Sequence, residues 1–165
     1  MIKKNKPVYL CGFMGCGKST VGKLLAKKLG KEFIDLDEYI EEREGMTIPE
    51  MFEQKGEAFF RERETAALSE LPPSAGVVAT GGGALLSEQN GTLARSLGTV
   101  VFIDCSFSIC YDRIKDDPHR PIAASSTEQQ LLERFEQRRP LYLAHSDITV
   151  DGSGAPLMIV SEILK

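Results

Sequence analysis

The chain has 165 residues, of which 42% are apolar and 27% charged, and 20 Lys and Arg against 24 Asp and Glu leave a net charge of −4. That length suits one domain with a core that needs no covalent staples, and the balance excludes wholesale disorder, collagen and coiled coil. The acidic character is unlike a general nucleic-acid binder, no apolar run approaches the roughly 18 residues of a membrane span, and the basic N-terminus leads into an apolar stretch too short for a signal peptide. The expectation is a cytosolic protein without nucleic-acid or membrane partners.

Short apolar runs alternate with longer helical stretches. Val8–Cys11 reads as a strand, and Val21, Leu24, Leu25 and Leu29 recur at helical spacing up to a stop at Gly30. Phe33-Ile34 is a second short strand, followed by a charged helix from Tyr39 to Gly45. Thr47-Ile-Pro-Glu50 is a capping-box pattern that opens a helix, interrupted at Gly56 and resumed to about Leu71, where Pro72-Pro73 stops it. Gly76–Thr80 is a third strand ending in Gly81-Gly82-Gly83, and Thr99–Asp104 is a fourth. A helix from about Ser106 to Lys115 precedes an aperiodic segment, residues 116–126, that reads as a mobile loop. Thr127 opens a long helix to about Ala144, Asp147–Val150 is a fifth strand, and a short helix ends the chain. This alternation predicts an α/β fold, a parallel sheet with helices on both faces, whose ligands bind beyond the carboxyl ends of the strands.

Gly12-Phe-Met-Gly-Cys-Gly17-Lys18-Ser19 matches the phosphate-loop pattern G-x-x-x-x-G-K-[ST] between a strand and a helix. Gly12, Gly15 and Gly17 permit backbone conformations closed to other residues, so main-chain N–H groups and a helix N-terminus can cradle phosphate oxygens. Lys18 can reach the β and γ phosphates, and the Ser19 hydroxyl can hold Mg²⁺. The guanine-reading N-K-x-D pattern is missing from the later chain, which sets a GTPase aside. Cys16, just before a helix N-terminus and beside Lys18, is expected to be the most reactive thiol. The two C-x4-C pairs, Cys11/Cys16 and Cys105/Cys110, have no His near them and read as reduced thiols rather than a zinc site.

A metal-bearing Asp is expected at the end of a neighbouring strand, and the residues leave Asp35 or Asp37 and Asp104 open. Phosphoryl transfer also needs positive charge around the moving group. Arg113, Arg120, Arg138, Arg139 and Arg61 are the candidates, although Arg61, between Glu57 and Glu64 at helical spacing, also reads as a surface ion pair. His119 and His145 read as surface or loop residues.

Gly12–Thr20, then Phe33-Ile-Asp35-Leu-Asp37, Gly56-Glu-x-x-Phe60-Arg61-x-x-Glu64, Gly81-Gly-Gly83, Arg120-Pro121 and Arg138-x-Pro140-x-Tyr142 together resemble the shikimate kinase family over nearly the whole chain. The resemblance implies a three-layer P-loop NTPase fold with a five-stranded parallel sheet, a substrate subdomain at about 36–71 and a lid at about 116–126. It implies ATP as co-substrate, Mg²⁺, and phosphorylation of the 3-hydroxyl of shikimate by a monomer. Asp37 would then hold ring hydroxyls and take the proton, while Arg61 and Arg138 bind the carboxylate and Gly82 and Gly83 donate from the main chain. Lys18 and Arg120 would serve the phosphates with the loop residues Gly12, Gly15, Cys16, Gly17, Ser19 and Thr20, and Arg113 and Pro156 would flank the adenine. Ser19 would bind the metal directly and Asp35 through water, which moves the metal choice away from Asp104. Ile122-Ala123 stand where the family often has two leucines. A kinase of the same fold for another hydroxy acid such as gluconate, and a non-catalytic nucleotide-binding module, are the alternatives.

Overall fold

The computed structural model describes residues 1–116 and 126–165. Arg120, His119 and nearly all of the expected lid therefore lie outside the described residues. Five parallel strands form one sheet in the spatial order β2-β3-β1-β4-β5, with β1 at Val8–Cys11, β2 at Phe33–Asp35, β3 at Val77–Ala79, β4 at Thr99–Asp104 and β5 at Ile148–Asp151. The central strand β1 aligns Val8 with both Val77 and Thr99. Alternate residues of β1 serve opposite layers, as the pleat requires. Val8 and Leu10 enter one apolar cluster with Val21, Leu25 and Ile159, whereas Tyr9 and Cys11 enter the other with Leu36, Leu68 and Leu85. Burial on both faces is why β1 and β4 are apolar nearly end to end.

Helices cover both faces: α1 at Lys18–Leu29, α2 at Leu36–Glu44, α3 at Ile48–Lys55, α4 at Glu57–Glu70, α5 at Glu88–Leu97, α6 at Phe107–Ile114, α7 at Glu128–Ala144 and α8 at Pro156–Ile163. Their ends follow local chemistry. Gly30 and Gly45 close α1 and α2 in left-handed conformations, and Thr47, Ser106 and Thr127 cap α3, α6 and α7. The Thr127 cap is a full capping box with Gln130. Helix α7 continues through Pro140, which lacks an N–H to donate to the preceding turn.

The sequence reading has no helix between Gly83 and Thr99, yet the structure places a short 3-10 turn at Ala84–Leu86 and then α5 there. Asn90-Gly91-Thr92 interrupts the helical period and hides it. Gly91 is required for packing, because a Cβ there would lie 2.8 Å from the Cβ of His145. His145 is correspondingly buried rather than on the surface, with Nδ1 2.7 Å from the Leu85 carbonyl oxygen. Among the described residues, no helix is long and apolar enough to cross a membrane.

Candidate functional site

A cavity of about 420 Å³ opens beyond the carboxyl ends of β1, β2 and β3. The order β2-β3-β1-β4-β5 makes β1 the strand from which the chain departs to either side, so this is where a parallel sheet offers a crevice. Gly15, Cys16, Gly17, Lys18, Ser19 and Thr20 line it, facing Asp35, Asp37, Gly82, Arg113 and Pro156.

The phosphate loop has the conformation its glycines were expected to supply. Gly15 and Gly17 have φ of 84° and 97°, values that strain any residue with a Cβ. A Cβ on Gly15 would also lie 2.8 Å from the Cys110 carbonyl oxygen, so the loop rests directly on α6. No side chain caps the start of α1, which leaves its first N–H groups turned to the cavity mouth with the positive end of the helix dipole. Lys18 Nζ donates to the carbonyl oxygens of Gly12 at 2.6 Å and Phe13 at 3.3 Å, so the ammonium is folded back on its own loop. Gly12 is not among the residues that line the cavity.

Cys16 contradicts the expectation of a reactive thiol: it is 1% exposed and packs in the core cluster with Cys105 and Cys110. The loop turns its main chain, not its sulfur, to the outside. All four cysteines are buried and unpaired by disulfides, and burial pushes the Cys11, Cys105 and Cys110 thiols up. Among the described residues no cluster of His, Cys, Asp and Glu is arranged to hold a metal by itself.

Asp104, left open as a metal ligand, is held instead by Arg139, whose Nε and Nη2 donate to its two carboxylate oxygens at 3.0 and 2.7 Å. It lies outside the phosphate-loop cavity, in a neighbouring groove with Phe107 and Phe135. Asp35 caps α2 through Oδ1, which accepts from the N–H groups of Asp37 and Glu38 at 3.0 and 3.2 Å. Its Oδ2 faces no protein donor among the described residues. A carboxylate oxygen of Asp35 and the Ser19 hydroxyl, both lining this cavity, are hard oxygen donors, few in number, as Mg²⁺ with several retained waters requires.

The glycine triplet after β3 organises the opposite wall. A Cβ on Gly81 would lie 2.6 Å from Asp37 Oδ1, one on Gly82 3.1 Å from Arg138 Nη1, and one on Gly83 2.9 Å from Arg61 Cζ. Three consecutive residues without side chains thus admit, in turn, one carboxylate and two guanidinium groups. The N–H groups of Gly82 and Gly83 donate to no protein acceptor among the described residues. Arg61 does make the expected helix ion pairs, at 2.7 Å to Glu64 and 3.4 Å to Glu57. Glu64, however, is 1% exposed, so the pair holds the guanidinium against Gly83 rather than decorating a surface.

Burial pushes the Asp37 carboxyl up to about 6, with Asp35, Glu64 and Glu41 adding like charge and Lys18 drawing it down. Burial also pulls Arg138 below its ordinary value, with Arg134 and Arg61 adding like charge. An acid poised near neutrality and a cluster of partly desolvated cations beside a phosphate loop can bind an anionic, hydroxylated acceptor and accept a proton from it. Arg113 Nη1 donates to the Gly15 carbonyl at 2.8 Å and shares the far end of the cavity with Gly154 and Pro156.

One residue of the site that the sequence reading gave no role, Tyr142, comes from α7. Tyr142 donates its hydroxyl hydrogen to the Gly82 carbonyl at 2.6 Å. Its spacing four residues after Arg138, on one helix face, is the signal that was available.

The shikimate kinase family model matches residues 14–165. A shikimate kinase from Sulfurihydrogenibium sp. is 45% identical over 161 residues, covering 96% of each chain. The solved shikimate kinase of Aquifex aeolicus superposes with a TM-score of 0.83 at 43% identity, covering 96% of this chain and 94% of that one. One from Acinetobacter baumannii, solved in complex with shikimate, gives a TM-score of 0.87 at 39% identity, covering 96% and 90%. A gluconokinase from Sinorhizobium meliloti, at 22% identity and a TM-score of 0.58, shares the fold alone. With the family model spanning nearly all of the chain and relatives this similar end to end, the chain belongs to the shikimate kinase family.

Proposed function

We propose that the protein transfers the γ-phosphoryl group of ATP to the 3-hydroxyl of shikimate. The observation that carries this reading is the triplet wall: Asp37, Arg138 and Arg61 each face one of three successive glycines beside a phosphate loop. Shikimate has one carboxylate and three hydroxyls, and the wall offers two fork-shaped donors, one acceptor and two unused main-chain N–H groups.

Phosphates are held by the loop N–H groups, the start of α1 and Lys18, whose ammonium leaves the Gly12 carbonyl for a stronger anionic partner. Arg113 and Pro156 flank the base of the nucleotide. Ser19, and Asp35 through water, would hold Mg²⁺, which would supply charge neutralisation at the phosphates. Arg61 and Arg138 fix the acceptor by its carboxylate, far from the reacting hydroxyl. Asp37, close enough to Lys18 to feel its charge, orients that hydroxyl for in-line attack and receives its proton. Arg120 would add positive charge from the segment outside the described residues. Residues 36–71 act as the substrate subdomain and 116–126 as the lid, in a monomeric cytoplasmic enzyme.

Coupled ADP-release assays with shikimate and with gluconate test this. Turnover dependent on shikimate, with gluconate at background, is expected. Equal turnover with gluconate, or ADP release indifferent to either acid, overturns it.

A further inference from the structure

Tyr142 is 1% exposed, its ring packed against Phe102 of β4 with centroids 5.4 Å apart. A Phe would satisfy that packing equally well. The hydroxyl is therefore the informative atom, and it has two neighbours of the candidate site. It donates to the Gly82 carbonyl oxygen at 2.6 Å, and it shares the space beside Gly82 with the Arg138 guanidinium from one turn earlier on α7, the two lying 4.0 and 3.1 Å from where a Cβ on Gly82 would sit. The phenol's one proton is committed to the carbonyl, which leaves its lone pairs facing the neighbouring cation. Burial pushes the phenol well above its ordinary range, so it stays a neutral donor at working pH.

Fixing the Gly82 carbonyl fixes more than that atom. The Gly82–Gly83 peptide is trans, and in a trans peptide C=O and N–H point in opposite directions. The hydrogen bond to Tyr142 thus turns the Gly83 N–H away from α7. A Gly–Gly linkage has no Cβ on either side to oppose rotation of its peptide plane, so unrestrained it would turn over at little cost. Space for side chains is unavailable here, because Arg138 and Arg61 occupy it. Restraint has to come from outside the segment, and the Tyr142 hydroxyl supplies it.

We propose that Tyr142 is a positioning residue for the acceptor substrate: its hydroxyl sets the Gly82–Gly83 peptide plane and the Arg138 fork together, so that the main-chain donor and one carboxylate-binding cation are pre-oriented before shikimate arrives. This rests on the acceptor site proposed above. It separates Tyr142 from the phosphate loop, with which its hydroxyl makes no hydrogen bond among the described residues.

Tyr142→Phe keeps the ring and removes the hydroxyl. The KM for shikimate should rise about tenfold, the order expected for losing one such bond and leaving the Gly82 carbonyl unpaired. The kcat at saturating shikimate and the KM for ATP should stay within about twofold, the pattern of lost binding rather than lost transition-state contact. A double-mutant cycle with Arg138→Ala should be less than additive, because part of the Tyr142 effect acts through Arg138. In wild-type enzyme the Gly83 amide resonance should move on titration with shikimate, a readout that does not depend on how the variant folds. An unchanged KM for shikimate, an equal rise in both KM values, full additivity, or a Gly83 amide indifferent to shikimate would each overturn the inference. Wild-type enzyme inactive with shikimate would instead refute the functional reading beneath it.

Discussion

Replacing Asp37 by Asn should make the protein more stable and nearly inactive. The shape of the side chain is kept, so contacts with Gly81 survive, but the charge is lost. Raising this acid from its ordinary 3.8 to about 6 means that holding it ionised in the folded chain at neutral pH costs about 3 kcal/mol, and about 2 kcal/mol after allowing for its partial exposure. A folded-state pKa above the unfolded one means that the folded chain holds the proton more tightly. The favourable contribution of this group is then full below about pH 4 and is lost as pH rises to about 6. Asn carries no such dependence, so the variant's advantage should open across that window and level off above it. For a chain of this size, about 2 kcal/mol corresponds to roughly 4–8 °C in Tm. Over the same range kcat should fall by about a hundredfold or more, since the proposed role of Asp37 in orienting and deprotonating the hydroxyl would be lost. Thermal melts at several pH values and saturation kinetics on both proteins measure the two effects. A variant with wild-type kcat, or one with no gain in Tm at neutral pH, would show that Asp37 is neither strained by burial nor in contact with the reacting hydroxyl.

Other outcomes follow from the same geometry. Arg61→Ala and Arg138→Ala should each weaken shikimate binding by about 1.5–3 kcal/mol in calorimetry while nucleotide binding is retained; unchanged affinity in either would return that arginine to a helix-surface role. Gly83→Ala should displace the Arg61 guanidinium, which lies 2.9 Å from the added Cβ, and raise the KM for shikimate with little change in that for ATP. Wild-type kcat/KM for shikimate should fall below about pH 6 as Asp37 becomes protonated, and Asp37→Asn should lose that limb of the profile. Alkylation of the native protein should be slow at all four cysteines and fast only after denaturation, so rapid native labelling of Cys16 would contradict its 1% exposure.

Much of the site was legible because its chemistry is local. The phosphate loop needs its glycines, Lys18 and Ser19 within one strand–turn–helix unit, and spacing alone reveals that. The strands were legible because a buried parallel sheet demands unbroken apolar runs. Helix α5 was not, because Gly91 was selected by the ring of His145, more than fifty residues away in the chain, rather than by local propensity. Asp104 looked as good a metal ligand as Asp35 because only the fold reveals that Arg139 occupies both of its oxygens. The accessible, reactive thiol expected at Cys16 failed for a similar reason. A helix N-terminus and a neighbouring lysine are visible in the sequence, but which way a loop turns its side chains is decided by the core beneath it.

The most direct test of the account is the structure of the reaction product. Shikimate and ATP incubated with the wild-type enzyme should yield a single monophosphate whose phosphorus couples to the proton on carbon 3 in ¹H–³¹P NMR, because the proposed placement, with the carboxylate on Arg61 and Arg138, would leave that hydroxyl beside Asp37. A phosphate on another hydroxyl, a mixture of positions, or no phosphorylated acid would contradict it.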